Sequence, residues 1–254
     1  MNSIKIIEVT PNNILDMGVL CGNELRFSQG KMKKAQWFRD RYEEGLRIKI
    51  SQDENDVKTG MIEFVPGEYT WRTLNAKNYT VIHCLQVLRN QTRSGYGTAL
   101  LNECIKDSQS TNGIAIVTSS KPWVNDKKFF VKNGFKKIDT APPYFELLIK
   151  QFKDGSLPSF NNGWEERALK YGDGVTVLFS DQCPIIDYAI KNIEEAAKEC
   201  NMVIKFIKIE SYSAAQNASS PYGTFCIVLN GKFLTHRIFD KVRYVGVLKS
   251  GAPI

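Results

Sequence analysis

The sequence predicts an α/β protein of two domains. A larger one spans residues 1–153 and a smaller one 171–254, with a link over 154–170. Three observations carry this. Short β-branched runs alternate with segments whose apolar residues recur at helical spacing. The stretch from Gly155 to Gly163 is rich in Gly, Pro, Ser and Asn and has no periodic pattern, so it reads as a linker. Strand–helix alternation then starts again at Val175. A chain of 254 residues has room for one large domain or two ordinary ones, and 43% apolar residues suffice for a core.

Taken in order, Ile4 to Val9 alternates like a first strand that Thr10-Pro11 ends. Asn12 to Leu20 can form a helix. Lys31 to Glu44 is a stronger one, with Met32, Ala35, Trp37, Phe38 and Tyr42 broadly on one side. Aromatics at this spacing are expected in a core. Gly45 stops that helix, and Leu46–Ile50 and Val57–Val65 read as strands on either side of the turn at Asp53–Asp56. Val81 to Leu88 is apolar or β-branched at most positions, as in a strand buried on both faces. Gly95 and Gly97 follow, where the backbone must turn and come close to something. From Thr98, Ala99, Leu100, Leu101 and Cys104 recur at helical spacing. Gly113–Ser120 is a buried strand, Lys127–Gly134 a helix with Gly134 as its C-cap, and Tyr144–Phe152 a last strand. Past the link, Val175–Phe179 is a strand, Pro184–Cys200 a helix and Val203–Ile209 a second strand. Thr224–Leu229 and Lys232–Arg237 form a hairpin about Asn230-Gly231.

Composition narrows the functional classes. No run of about 18 apolar residues occurs, so no membrane span is expected. The first residues lack a basic segment followed by an apolar one, so no signal peptide is expected. The net charge is +7, yet no basic block exceeds Lys31-Met32-Lys33-Lys34. Nucleic acid is therefore not the expected partner, and an acidic cofactor would suit a basic groove as well. Six cysteines, at 21, 84, 104, 183, 200 and 226, lack metal-type pairing. They read as reduced core residues of a cytoplasmic protein, and no metal is expected.

The chemistry-bearing stretch is Val81 to Leu101: a strand, a loop crowded with backbone N–H groups, then a helix start. Free amides and the dipole at a helix N-terminus favour phosphate. No Gly-Lys-Ser/Thr follows, so this is not a nucleotide phosphate loop; the third glycine of a dinucleotide fingerprint is also missing. The stretch resembles the pyrophosphate motif of the GNAT superfamily of acetyl-CoA-dependent N-acetyltransferases. In that family an apolar strand precedes Arg/Gln-x-x-Gly-x-Gly/Ala at a helix start. Here Leu85, Gln86 and Val87 fall at the strand end, and Arg93, Ser94, Gly95, Tyr96, Gly97 and Thr98 form the loop. Thr92 stands at the Arg/Gln position, between Gln91 and Arg93. A second resemblance lies in Phe129-Phe130-Val131-Lys132-Asn133-Gly134-Phe135, similar to the family's Phe-Tyr-x-x-x-Gly-Phe. The likeness covers about residues 1–153 and implies a central mixed sheet.

That resemblance implies transfer of an acetyl group from acetyl-CoA, as cosubstrate, to a primary amine of a small molecule or peptide. Such a protein would be a monomer or homodimer. Leu85 to Val87 would hold the pantetheine arm and polarise the acetyl carbonyl, and the loop from Arg93 to Thr98 would hold the pyrophosphate. The family's carboxylate base falls on Val81 or Thr118, neither of which can act. His83, two residues on from Val81, is the expected base because its ordinary pKa suits the task. Glu63 and Glu68 are alternatives. The family's tyrosine acid falls on Phe130, so Tyr144 is the expected proton donor. The Asn that often precedes that tyrosine falls on Trp123, with Asn125 close by. A protein that binds CoA with little transferase activity is the alternative that Phe130 leaves open.

In the second domain, the order strand, helix, strand, hairpin resembles a thioredoxin-like domain. Cys183 would stand at that fold's reactive-cysteine position and Pro221 at its cis-proline. Ile186 replaces the second cysteine, so Cys183 is expected to be a single reactive thiol or a substrate-side contact, and not half of a disulfide. The pairing of the two halves resembles bacterial and archaeal acetyltransferases with a YoaP-like C-terminal domain. A thiol-dependent sensor or binding module centred on Cys183 is the remaining alternative.

Overall fold

A computed structural model describes residues 4–21, 27–121 and 125–254. The chain divides into two compact units. The first consists of Met1–Leu20, Ala35–Thr70 and Leu74–Phe160; the second of Cys21–Lys34, Trp71–Thr73 and Asn161–Ile254.

In chain order, the elements up to Phe160 are β1 (Lys5–Val9), α1 (Ile14–Met17), α2 (Ser28–Arg41), β2 (Arg47–Gln52), β3 (Lys58–Pro66), β4 (Leu74–Asn75), β5 (Tyr79–Val87), α3 (Tyr96–Asp107), β6 (Gly113–Ser119), α4 (Lys127–Lys132), β7 (Lys136–Ala141), β8 (Phe145–Gln151) and β9 (Ser159–Phe160). The first unit is built on a seven-stranded mixed sheet in the order β1-β2-β3-β5-β6-β8-β7. Only β5 and β6 run parallel; the other neighbours are antiparallel. Residues of even number on the central strands, Ile62, Phe64, Ile82, Ile114, Ile116 and Leu148, meet Leu100, Leu101 and Cys104 of α3 and Phe130 of α4 in one core. This follows from period-2 alternation against a helical stripe. Lys49 on β2 ties α3 down from below. Its Nζ lies 3.2 Å from Glu103 and 2.6 Å from Asp107, with the Lys49 side chain only 7% exposed.

The second unit carries α5 (Trp164–Leu169), β10 (Val175–Phe179), α6 (Ile186–Glu199), β11 (Ile204–Lys208), α7 (Tyr212–Gln216), β12 (Phe225–Leu229), β13 (Lys232–Thr235) and α8 (Lys241–Ser250). Its sheet has the order β11-β10-β12-β13. β10 pairs parallel with β11 and antiparallel with β12. The hairpin turn has positive φ at both Asn230 and Gly231, as a two-residue turn matching strand twist requires. Ala189, Ile193, Ala196 and Ala197 of α6 and Tyr244, Val247 and Leu248 of α8 form its core with Val175, Val177, Phe225 and Ile227.

Three expectations are corrected. The stretch read as a free linker is partly ordered: β9 pairs with β4, and Phe160 N donates to Asp139 at 3.1 Å. Trp164 and Ala168 of α5 are buried in the second unit. Secondly, two short N-terminal segments belong with the C-terminal residues. Arg72, 1% exposed, lies over the Tyr222 ring at 4.2 Å and donates to Thr224 Oγ1 at 3.1 Å, while Thr73 Oγ1 donates to Ser220 O at 2.6 Å. Lys33 pairs with Asp187 at 2.8 Å. Thirdly, Pro221 is not preceded by a cis bond: among the described residues the cis peptide is Pro142–Pro143.

Candidate functional site

The first unit opens a cleft where two parallel strands part. β5 and β6 pair from Tyr79↔Gly113 to Ile82↔Ile116, and no further. β5 nevertheless continues to Val87, held on its other side by β3 as far as Gly60↔Val87. Tyr79 to His83 are buried, and Cys84 to Val87 become half-exposed. From Leu85 on, the β6 side of β5 therefore has no strand partner. Asn125, just before α4, fills part of the opening. Its Oδ1 accepts from Leu85 N at 3.0 Å, and its Nδ2 donates to His83 O at 3.5 Å. Its side-chain amide thus stands where the peptide unit of a neighbouring strand would stand. Trp123, the other residue considered for this place, lies outside the described residues.

The loop after β5 is exposed from Thr92 to Gly95, and Tyr96 is buried as α3 begins. Arg93 and Gly95 both have positive φ, 68° and 87°. This left-handed geometry turns the chain sharply into α3, whose N-cap is Gly95. The first amides of the helix have no acceptors within it, so the turn presents donors at the positive end of the dipole. A Cβ on Gly95 would meet only Ile4 at 3.7 Å, so the space beside it is open. Gly97 differs. A Cβ there would lie 3.3 Å from Phe129 and 3.5 Å from Val87, so this glycine lets α3 pack against α4 and β5. Ser94 and Thr98 are exposed at the same turn. The structure thus brings together Leu85 to Val87 and Arg93 to Thr98 as strand end, turn and helix start.

The proposed base sits elsewhere in character. His83 is the extra residue of a β-bulge, since Glu63 pairs with Cys84 and Phe64 with Ile82. Its side chain is 0% exposed. Nδ1 lies 3.3 Å from Glu63 Oε1, and Nε2 lies 3.2 Å from Thr70 Oγ1. Glu63 is also buried, so the two expected alternatives form one pair. Glu68 is drawn away: it accepts from Asn78 N at 2.8 Å. Thr70 and Asn125 carry no sequence signal of their own; only Asn125 adjoins the family's position.

Tyr144 follows the cis Pro142–Pro143 bond and lies at the end of β6, where its carbonyl accepts from Ser120 N at 3.2 Å. It lines an open pocket of about 380 Å³ with Ser120, Thr140 and Glu146. Phe130 is 1% exposed and packs edge-on against Phe129 and Phe135, a core role with no proton to give.

In the second unit Cys183 is half-exposed and precedes α6, with Ile186 N donating to its carbonyl at 3.1 Å. None of the six cysteines is joined in a disulfide. Burial pushes the Cys226 thiol up to about 12, so that residue offers no thiolate. His236 on the same unit is held neutral. Burial first, then the charges of Arg237 and Arg72, lower its pKa to about 3.

Residues 204–243, from β11 into α8, match the YoaP-like family model. Over 250 residues, 96% of this chain and 98% of the other, the sequence is 27% identical to a Bacillus subtilis (strain 168) protein named "Uncharacterized N-acetyltransferase YoaP". Solved structures are similar over part of the chain. A GNAT-family acetyltransferase from Staphylococcus aureus Mu50 is 16% identical, covering 59% of this chain and all of that one, with a TM-score of 0.44. A PaiA N-acetyltransferase from Thermoplasma acidophilum, solved with coenzyme A, is 18% identical over 59% of this chain and 99% of its own, with a TM-score of 0.40. This α/β chain is therefore similar, along nearly its whole length, to a Bacillus protein of that name, and its C-terminal part matches the YoaP-like family.

Proposed function

We propose that this protein is an acyltransferase of the GNAT superfamily that moves the acetyl group of acetyl-CoA to a primary amine. The observation that carries the reading is the parted β5–β6 pair, followed directly by the Arg93–Thr98 turn into α3. A strand edge with released amides suits an extended, amide-bearing arm, which binds by strand addition. A turn of exposed amides at a helix start suits the pyrophosphate. The two lie in sequence along one cleft, as the two parts of CoA would require. The name of the Bacillus subtilis relative supports the same activity. The first unit is the transferase domain, and the second, mainly Asn161–Ile254, is a YoaP-like, thioredoxin-like domain. The order β11-β10-β12-β13 supports the last assignment. Reduced cysteines support a cytoplasmic protein.

Transfer needs a fixed thioester, a deprotonated amine, a stabilised oxyanion and a protonated leaving thiolate. Leu85 to Val87 orient the thioester and polarise its carbonyl. The amine attacks, the N–C bond forms, the C–S bond breaks, and CoA leaves as the thiol. His83 serves as base, and Tyr144, at the end of β6, serves as the proton donor. Calorimetry with acetyl-CoA and a free-thiol assay over a panel of amines test the reading. Micromolar binding with amine-dependent CoA release is expected. Binding without release for every amine would leave a CoA-binding protein, and no binding would remove the assignment.

A further inference from the structure

We infer that Glu63, His83 and Thr70 form a buried proton relay at the point where β5 leaves β6, with Glu63 and Thr70 as positioning residues for the His83 imidazole. The inference rests on the acetyl-transfer reading and adds to it the way the proton travels. Three facts place it. His83 is the first residue beyond the last β5–β6 pair, Ile82↔Ile116, so its main chain borders the cleft. Its carbonyl shares the Asn125 amide with Leu85 N. The bulge at Glu63/Phe64 makes His83 the unmatched residue, and its ring reaches Glu63 on β3 and Thr70 after the turn that follows β3.

The two contacts fall on opposite ring nitrogens, and this fixes the chemistry. With Glu63 as a carboxylate, which only accepts, Nδ1 carries the hydrogen and donates to Glu63 Oε1 at 3.3 Å. Nε2 is then the acceptor, and Thr70 O–H donates to it at 3.2 Å. An acid, an imidazole and a hydroxyl in this order form the arrangement in which a carboxylate orients a base and stabilises its cation. Such groups are costly to hold out of water: the His83 and Glu63 side chains are 0% and 1% exposed, and Thr70 is 0% exposed. Apolar residues of equal size would fill the same space at lower cost. A bulge that aims an ionisable ring inward beside a cleft is a local sacrifice of sheet regularity, of the kind found next to active sites.

In the reaction, the ammonium formed on attack gives its proton through water to Thr70 Oγ1, which is itself buried. Thr70 passes its own proton to His83 Nε2. The resulting imidazolium is held by Glu63 until its proton leaves through the same hydroxyl to water, while Tyr144 protonates the CoA thiolate and regains its proton from water. One proton is moved for each N–C bond formed and C–S bond broken, and no oxidant or reductant is involved.

The test uses the full chain in four variants: Glu63→Gln, His83→Gln, Thr70→Val and Thr70→Ser. Thr70→Val keeps the shape and removes the hydroxyl. We expect kcat to fall about 100-fold in Thr70→Val and His83→Gln, the scale of general-base loss, with KM for acetyl-CoA unchanged. Thr70→Ser should recover most of it. Glu63→Gln should move the pH–rate profile as well as lowering kcat. A nitrogen-15 spectrum of the imidazole reads the arrangement without turnover: Nε2 should be the bare nitrogen in the parent protein, and Glu63→Gln should alter that state. A proton on Nε2 in the parent, or wild-type kcat and pH profile in folded Thr70→Val, would overturn the relay. A parent protein that releases no CoA with any amine removes the transfer reading instead, and the spectrum still decides the hydrogen-bond order.

Discussion

Gly95 and Gly97 sit two residues apart and do different jobs. Gly95 has φ 87° with open space around it, so a side chain there strains the turn and enters the space of a bound anion. Gly95→Val should abolish acetyl-CoA binding in calorimetry, with a small drop in melting temperature. Gly97 faces Phe129 and Val87, so Gly97→Val should cost about 1–3 kcal/mol of stability by overpacking, read by urea unfolding. If the two variants behave alike, the division of roles is wrong. Both glycines are legible in the sequence as a turn at a helix start. Their division of labour is not, because it depends on a phenyl ring some 30 residues away. His83 is legible as a candidate base, but its burial against Glu63 depends on a bulge that sequence alternation does not announce. His236 gives a prediction of its own. Its folded pKa of about 3 is below the unfolded value, so the unfolded chain binds the extra proton between about pH 6.5 and 3. Stability should therefore fall with pH across that window, by up to about 1.4 kcal/mol per unit. His236→Gln should flatten the slope in denaturant titrations at pH 7, 6 and 5.

Among the elements, α3 has most to hold in place, because its first turn is the anion site. Its far end is fixed by Lys49, which bridges Glu103 and Asp107. Burial pulls the Lys49 pKa down, but hydrogen bonds to Asp107 and Glu103 outweigh it and the net shift is upward. The ion pairs therefore contribute fully below the ordinary lysine value and are lost only as pH rises through the higher folded one. Lys49→Met should cost about 1–3 kcal/mol, since two carboxylates then face each other at a half-buried site. Its acetyl-CoA affinity should fall with the loosened helix, and a thermal scan with and without ligand would separate the two effects. The main strands and α6 of the second unit are legible from period and breakers, to within about two residues. β4 and β9 are not, because each is two residues long and gains its identity only by pairing with the other. α8 leaves signals that the reading passes over: Asp240 caps it by accepting from Arg243 N at 2.8 Å, and Gly251 ends it in a left-handed turn. The helix after Cys183 is equally instructive by its start. α6 begins at Ile186, so the thiol stands three residues ahead of the first helical position rather than within the first turn. Labelling of Cys183 across pH should still show a half-reaction pH below the ordinary 8.5 if the dipole reaches it. A rate no faster than an unfolded cysteine would make it a packing residue.

At the scale of the molecule, the exposed run is Lys153–Leu157, whereas Pro158 and Phe160 are buried. Limited trypsin digestion should first cut after Lys153. The two fragments should stay together on a sizing column under native conditions and separate in urea, because the second unit contains Cys21–Lys34 and Trp71–Thr73 as well as the C-terminal residues. Fragments that separate without denaturant would show that those segments add little. A boundary near residue 153 is readable from composition. The return of two short segments across it is not, because a buried Arg72 has no periodic pattern to mark it and its partners lie 150 residues away.

That separation has a consequence for biosynthesis. Trp71, Arg72 and Thr73 emerge from the ribosome well before Ser220, Tyr222 and Thr224, to which Arg72 and Thr73 bind. At roughly 5–20 residues per second, the interval is about 8–30 s. Throughout it a tryptophan destined for 1% exposure waits for its partners, and in the second half it does so on a nascent chain whose first sheet is already complete. Chaperone demand should therefore peak in the last third of translation, and ribosome profiling of a holdase on this message would show where it lets go.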